Sequence, residues 1–194
     1  MRKITEDCEN PLDNILIHIS DISCEYAHNI GLTPNMLTTI SIIFCGITVI
    51  LLLKSYFYIA AITFLISYYF DCMDGHFARK YNMVTVFGDY YDHIADFGKL
   101  IAVLYTLYIL DSRKFFIILP FLIILFILSG VHLGCQELYY DTNESATLAM
   151  TKYLCIANDK KDKTSIINAL HITRYFGCGT FNIGIILAII YYGV

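Results

Sequence analysis

From residue 71 to residue 96 the chain reads D-C-M-D-G-H-F-A-R-K-Y-N-M-V-T-V-F-G-D-Y-Y-D-H-I-A-D. Asp71, Asp74 and Ala78 are spaced i, i+3, i+7, and Gly88, Asp92 and Asp96 are spaced i, i+4, i+8. Each set marks one face of a helix. The stretch between them is short, so the two helices run antiparallel and their acidic faces meet. Carboxylates so placed repel one another unless a cation sits between them. All-oxygen donors select a hard ion such as Mg²⁺, Mn²⁺ or Ca²⁺. Four acids suit two ions, and paired ions of this kind clamp a phosphate during phosphoryl displacement. Arg79 follows the first acidic face, where a guanidinium can meet a phosphate or nucleotide. Gly75, Ala78 and Gly88 lack bulk and permit a ligand or a facing helix to approach closely.

The elements that hold these residues are apolar. Of 194 residues, 57% are hydrophobic and 15% are charged, far from the balance of a soluble domain. The apolar residues fall in long runs, the mark of an integral membrane protein. A carboxylate inside such a run is costly and marks a functional site by default. The expected fold is all-α, an integral membrane bundle of five to six transmembrane helices in one domain over residues 1–194. Residues 11–30 form an amphipathic helix lying on the membrane surface. Leu12, Ile15, Leu16, Ile19, Ile22, Tyr26 and Ile30 make its apolar face, and Asp13, Asn14, Asp21 and Glu25 the opposite one. Residues 33–194 form the bundle. Its spans are expected over Met36–Leu53, Tyr56–Phe77, Gly88–Leu110 and Phe115–Leu133, with one tilted crossing in Thr164–Val194.

With the amino terminus in the cytosol, that side holds Arg2, Lys3, Arg79, Lys80, Lys152, Lys160, Lys161 and Lys163. The far side holds Lys54, Arg113 and Lys114. Basic residues favour the cytosolic side, so the acidic cluster opens toward the cytosol. The polar run Met1–Asn10 has no apolar core after it, and no cleavable leader is expected. A net charge of −4 gives no reason to expect nucleic acid as a partner. The seven cysteines are scattered without a C-x-x-C pair and are expected to pack as small apolar side chains.

Taken together, D71-x2-D74-G75-x2-A78-R79-x8-G88-x3-D92-x3-D96 resembles the signature of the CDP-alcohol phosphotransferases at every defined position. The segment T33-P34-N35-M36-L37-T38 resembles the start of that family's first span. The resemblance implies a membrane enzyme of phospholipid biosynthesis. It would move a substituted phosphate from a CDP-linked donor to an alcohol acceptor and release CMP. It implies Mg²⁺ or Mn²⁺, two ions, at Asp71, Asp74, Asp92 and Asp96, with Asp96 as the general base. Asp71, Asp74, Gly75, Ala78, Arg79 and Gly88 would line the nucleotide site. The family commonly has six spans and can form a homodimer, whereas five spans can be placed in this chain.

The first choice of reaction is phosphatidyl transfer from CDP-diacylglycerol to a small polyol such as inositol or glycerol phosphate. The Asp92–His93 pair also resembles the choline and ethanolamine branch, in which diacylglycerol is the acceptor. A metal-ion or proton transporter is the alternative of another class. Further candidate contacts to acceptor or phosphate are Lys99, His132 and Arg174. Asp89, His76, His93, Gln136 and Glu137 lie close enough in sequence or pattern to contribute.

Overall fold

The computed structural model describes residues 3–140 and 148–194. Its described residues form helices joined by short turns. The helices are α1 (Pro11–Asn29), α2 (Pro34–Leu53), α3 (Phe57–Lys80), α4 (Val86–Leu110), α5 (Ser112–Tyr140), α6 (Lys163–Thr173) and α7 (Cys178–Tyr192).

The caps explain the boundaries. Asn10 accepts from the Leu12 amide ahead of Pro11 at the first helical position of α1. Helices α1, α2 and α3 each stop at a residue with positive φ: Gly31, Ser55 and Asn82. In each case the next amide reaches back five residues, from Leu32 to Ala27, Tyr56 to Leu51, and Met83 to Ala78. That left-handed stop satisfies the last free carbonyls. Thr85 then caps α4 by accepting from the Gly88 amide, and Asp111 accepts from the Arg113 and Lys114 amides to start α5.

Helices α2, α4 and α5, and the stretch Lys163–Tyr192, are long and apolar enough to cross a membrane. Helix α3, of 24 residues, is about 36 Å long at 1.5 Å per residue, and its acids lower its apolarity. It runs antiparallel to α2. Hydroxyls bridge the two helices at Ser41–Ser67 and Thr48–Thr63, 3.3 and 2.9 Å apart, as polar side chains do between helices in lipid. Rows such as Ile43, Ile47 and Ile50 on α2, and Ile117, Phe121 and Ile124 on α5, stay exposed and suit contact with lipid tails.

Three expectations are corrected. Helix α3 runs on to Lys80 and α5 to Tyr140, because Arg79, Lys80, Gln136 and Glu137 are good helix residues that hydropathy alone reads as span ends. The apolar stretch after Thr164, expected as one tilted crossing, is long and apolar enough for one crossing but is not one continuous helix. It breaks at a 3₁₀ turn, Arg174–Phe176, and Gly177. Helix α7 enters the bundle beside α3 and α5, while α6 packs on α5 and the Glu6–Cys8 turn. Cys135 and Cys155 form a disulfide rather than packing as free thiols. It ties α5 to the chain just after the 3₁₀ segment Leu148–Leu154, and a 20-residue separation carries no sequence mark of such a pair. Cys8, Cys24 and Cys45 are free and buried, as expected.

Helix α1 keeps Ile15, Ile19, Ile22, Tyr26 and Ile30 exposed in one row, the face that an interfacial helix gives to the membrane. Its other side does not face water alone. Leu16, Ser20, Cys24 and Ala27 are buried, and Cys24 and Ala27 pack on Leu37, Met73 and Phe77. Asp21 meets His76 at 2.6 Å and Lys80 at 3.6 Å. Asp13 is buried, accepting from the Tyr68 hydroxyl at 2.5 Å and from the Gly179 amide at 3.2 Å. The acidic face of α1 therefore clamps it to α3 and α7. Burial, opposed by the Tyr68 hydrogen bond, pushes the Asp13 carboxyl up to about 7. Asp21 is held below the usual carboxylate range: what burial it has opposes this, and the His76 hydrogen bond and Lys80 outweigh it.

The main apolar core lies where α2, α3, α4, α5 and α7 meet away from the acids. It contains Leu52, Phe64, Val103, Leu107, Leu122, Ile185 and Ile189. Packing there fixes the helices whose other ends carry the polar residues.

Candidate active site

A cavity of about 570 Å³ opens between α3, α4, α5 and α7. Asp71, Asp74, Gly75, Ala78, Arg79, Gly88, Asp92 and Asp96 all line it. Two helical registers and the turn between them thus bring the whole spaced motif to one surface. Asp71, Asp74 and Asp92 each offer a carboxylate oxygen, and the three oxygens lie within 4.8 Å of one another. Asp74 is buried and accepts from the Thr38 hydroxyl at 2.5 Å, which fixes its rotamer from α2. Asp92 Oδ1 is buried without a hydrogen-bond partner. A buried carboxylate oxygen is seldom left so, and a divalent cation would satisfy it. The donor set is all oxygen, so these residues fit the hard ion expected from the sequence.

Asp96 joins the group through Lys99. The Lys99 ammonium donates to Asp71, lies 3.0 Å from Asp96 Oδ1, and donates to Ser41 Oγ at 2.8 Å. Lys99 lines the cavity, and its partners include two motif acids. Lys80 pairs with Asp21 and Glu25 on α1 instead.

The other candidates divide. Asp89 and His93 line the cavity, and His93 Nδ1 lies 2.7 Å from the Asp89 carbonyl. Glu137 lines it too, buried and paired with Lys3 from the amino-terminal segment. His76 turns toward α1. His132 and Arg174 are not among the cavity-lining residues. His132 bonds Thr173 and Gln136, each at 3.0 Å, inside a buried polar network. Arg174 donates to the Asp7 carbonyl and covers the Tyr175 ring at 4.9 Å. The break between α6 and α7 turns Arg174 away from the site. Residues singled out by no sequence pattern also line the cavity: Ser129 on α5, Asn182 on α7, and Thr151 and Leu154. A polar Asn182 within an apolar helix was the one available signal for these.

The site is thus a cluster of acids, with a donor set that fits a hard cation, at one end of a membrane helix bundle. The family model for CDP-alcohol phosphatidyltransferase matches residues 31–190 of the chain, and the protein belongs to that family. The family transfers a phosphate group from a CDP-alcohol to an alcohol acceptor, and its members use divalent metals. No curated protein and no solved structure matches the chain.

Proposed function

We propose that this protein transfers a phosphatidyl group from CDP-diacylglycerol to a small polyol and releases CMP, in phospholipid synthesis. The observation that carries the reading is the convergence of Asp71, Asp74 and Asp92 on one point, with Asp92 Oδ1 left unpaired. Those three carboxylates would hold Mg²⁺ or Mn²⁺. When bound, the metal supplies charge neutralisation to the donor diphosphate.

The chain's own residues do the rest. Thr38 holds Asp74 in place. The Arg79 guanidinium lies over Gly75, its Nη1 3.3 Å from where a β-carbon there would stand. It binds the donor phosphates, and Gly75 and Gly88 leave room for the nucleotide. Lys99 keeps Asp71 and Asp96 together. Asp96, whose side chain is 44% exposed, takes the acceptor hydroxyl's proton on a carboxylate oxygen. The freed oxygen bonds to the phosphorus that carries the lipid. The bond from that phosphorus to the bridging oxygen breaks, and CMP leaves with it. Helices α5 and α7 close the opposite side and limit water.

The basic-residue distribution supports a cytosolic position for this end. The Cys135–Cys155 bridge lies at the same end, and such bridges last longer in oxidising compartments. A single cysteine at Lys160, labelled by an impermeant reagent only after permeabilisation, supports the cytosolic side. Labelling in sealed cells reverses it.

The reaction is tested by CMP release from membranes containing the protein, with Mg²⁺ or Mn²⁺, from CDP-diacylglycerol, CDP-choline or CDP-ethanolamine against a panel of alcohols. CDP-diacylglycerol with a polyol should be the productive pair. Release only from CDP-choline or CDP-ethanolamine with diacylglycerol would reassign the donor. Metal-dependent ion flux in proteoliposomes with no CMP release would replace the enzyme with a transporter.

A further inference from the structure

Facing the acids across the cavity is a wall of different chemistry, formed by α5 and α7. Its polar side chains among the described residues include Ser129, Glu137, Tyr140 and Asn182, set among apolar neighbours such as Phe126 and Phe181. Asn182 lies within an apolar helix, where a polar side chain marks a functional contact. It donates one N–H to the Cys178 carbonyl at 3.0 Å, so its carbonyl oxygen and second N–H remain for another partner. Glu137 is committed to Lys3.

Phosphate recognition calls for Arg or Lys whose charge is not already offset by a carboxylate. The cations lining the cavity, among the described residues, are Lys3, Arg79 and Lys99. Lys3 is held by buried Glu137, and Lys99 by Asp71 and Asp96. Arg79 sits on α3 over Gly75, on the donor side. Arg174, which the sequence offered as a phosphate contact, is turned outward onto the Asp7 carbonyl. The α5–α7 wall therefore offers hydroxyl and amide groups and presents no cation of its own.

We propose that this wall is the acceptor subsite, with Asn182 and Ser129 as its hydrogen-bonding groups, and that it takes a small alcohol bearing no phosphate. This rests on the transferase reading above and narrows its acceptor. Glu137 sets the preference by neutralising Lys3, a cation that lines the same cavity.

The test is CMP release from CDP-diacylglycerol with paired acceptors: glycerol against glycerol 3-phosphate, and inositol against inositol 1-phosphate. The unphosphorylated member of a pair should have the higher kcat/KM by about tenfold or more, the worth of one charge-assisted contact that the wall does not make. Glu137→Gln should free Lys3 and shift the ratio toward the phosphorylated acceptor by about tenfold. Asn182→Leu should raise KM for the alcohol by about tenfold, while binding of radiolabelled CDP-diacylglycerol with Mn²⁺ stays unchanged. If either variant fails to fold, the wild-type ratio decides by itself. A wild-type preference for the phosphorylated acceptors overturns this inference and leaves the transferase reading standing. CMP release from no pair of donor and acceptor overturns both.

Discussion

The α3–α4 wall and the α5–α7 wall enclose the same cavity and differ in how their polar groups are fixed. On α3 and α4 the acids lie one helical turn apart and are held from behind, Asp74 by Thr38 and Asp71 by Lys99. On α5 and α7 the polar groups are sparse and neutral, or are cancelled in pairs such as Lys3–Glu137. On the proposed reading, the acidic wall gathers charge and the other receives a hydroxyl beside it. On that reading, the reaction and the acceptor choice reside on separate helices and can be changed separately.

The largest effect should come from the acidic wall. Asp96→Asn removes the proton acceptor and should lower kcat by about 10²–10⁴-fold, with the protein still folding and binding donor. Next comes Lys99→Met, which leaves Asp71 and Asp96 facing each other without their shared cation. Losing one partner of a buried pair costs about 3–5 kcal/mol, so thermal unfolding in detergent should begin at a clearly lower temperature. Added Mn²⁺ should recover part of that loss in Lys99→Met and add less to the wild type. An equal metal response in both proteins would separate Lys99 from the metal-holding acids.

Smaller effects belong to the other wall and to α1. A β-carbon at Gly134 would run into the Thr151 carbonyl. Gly134→Val should therefore displace the Leu148–Leu154 segment, cost about 1–3 kcal/mol as overpacking does, and alter acceptor KM more than donor KM. Equal changes in both would mean that this segment does not border the acceptor side.

Asp13 supplies a pH signature outside the spans. Its carboxyl is raised from 3.8 to about 7, so the folded protein binds this proton more tightly than the unfolded chain does. Its contribution to stability is full below pH 4, falls as the pH rises toward 7, and is constant above that. Melting temperatures between pH 5 and pH 7.5 should decline less steeply in Asp13→Asn, whose amide still accepts from Tyr68. The smallest effect should follow Ile22→Glu in the exposed row of α1, which should weaken membrane seating of that helix, read by protease access to residues 11–30, with little change in kcat.

How much of this was legible in the sequence follows from the range of each interaction. The acidic faces could be read because a helix turns neighbouring positions onto one side every three or four residues, and both registers are local. The stop at Gly31 could be read for the same reason. Lys99 with Asp71, Lys3 with Glu137 and Asp13 with Tyr68 join residues 28, 134 and 55 positions apart, and no local period encodes such pairs. Arg174 shows the limit from the other direction. Its charge in an apolar run suggested an anionic ligand, but the helix break at Gly177 put it against a backbone carbonyl. The family match begins at residue 31, so the clamp that α1 makes through Asp13 and Asp21 lies outside it and had to come from the packing.

The central claim is that the four spaced carboxylates form a metal-dependent CDP-alcohol site. It is tested most directly by CMP release from CDP-diacylglycerol and a polyol, with Mn²⁺ or with chelator, for the wild type, Asp71→Asn and Asp96→Asn side by side. The account predicts release by the wild type with metal, its loss on chelation, and its loss in both variants under all conditions. Undiminished release by either variant, or by the chelated wild type, would contradict it.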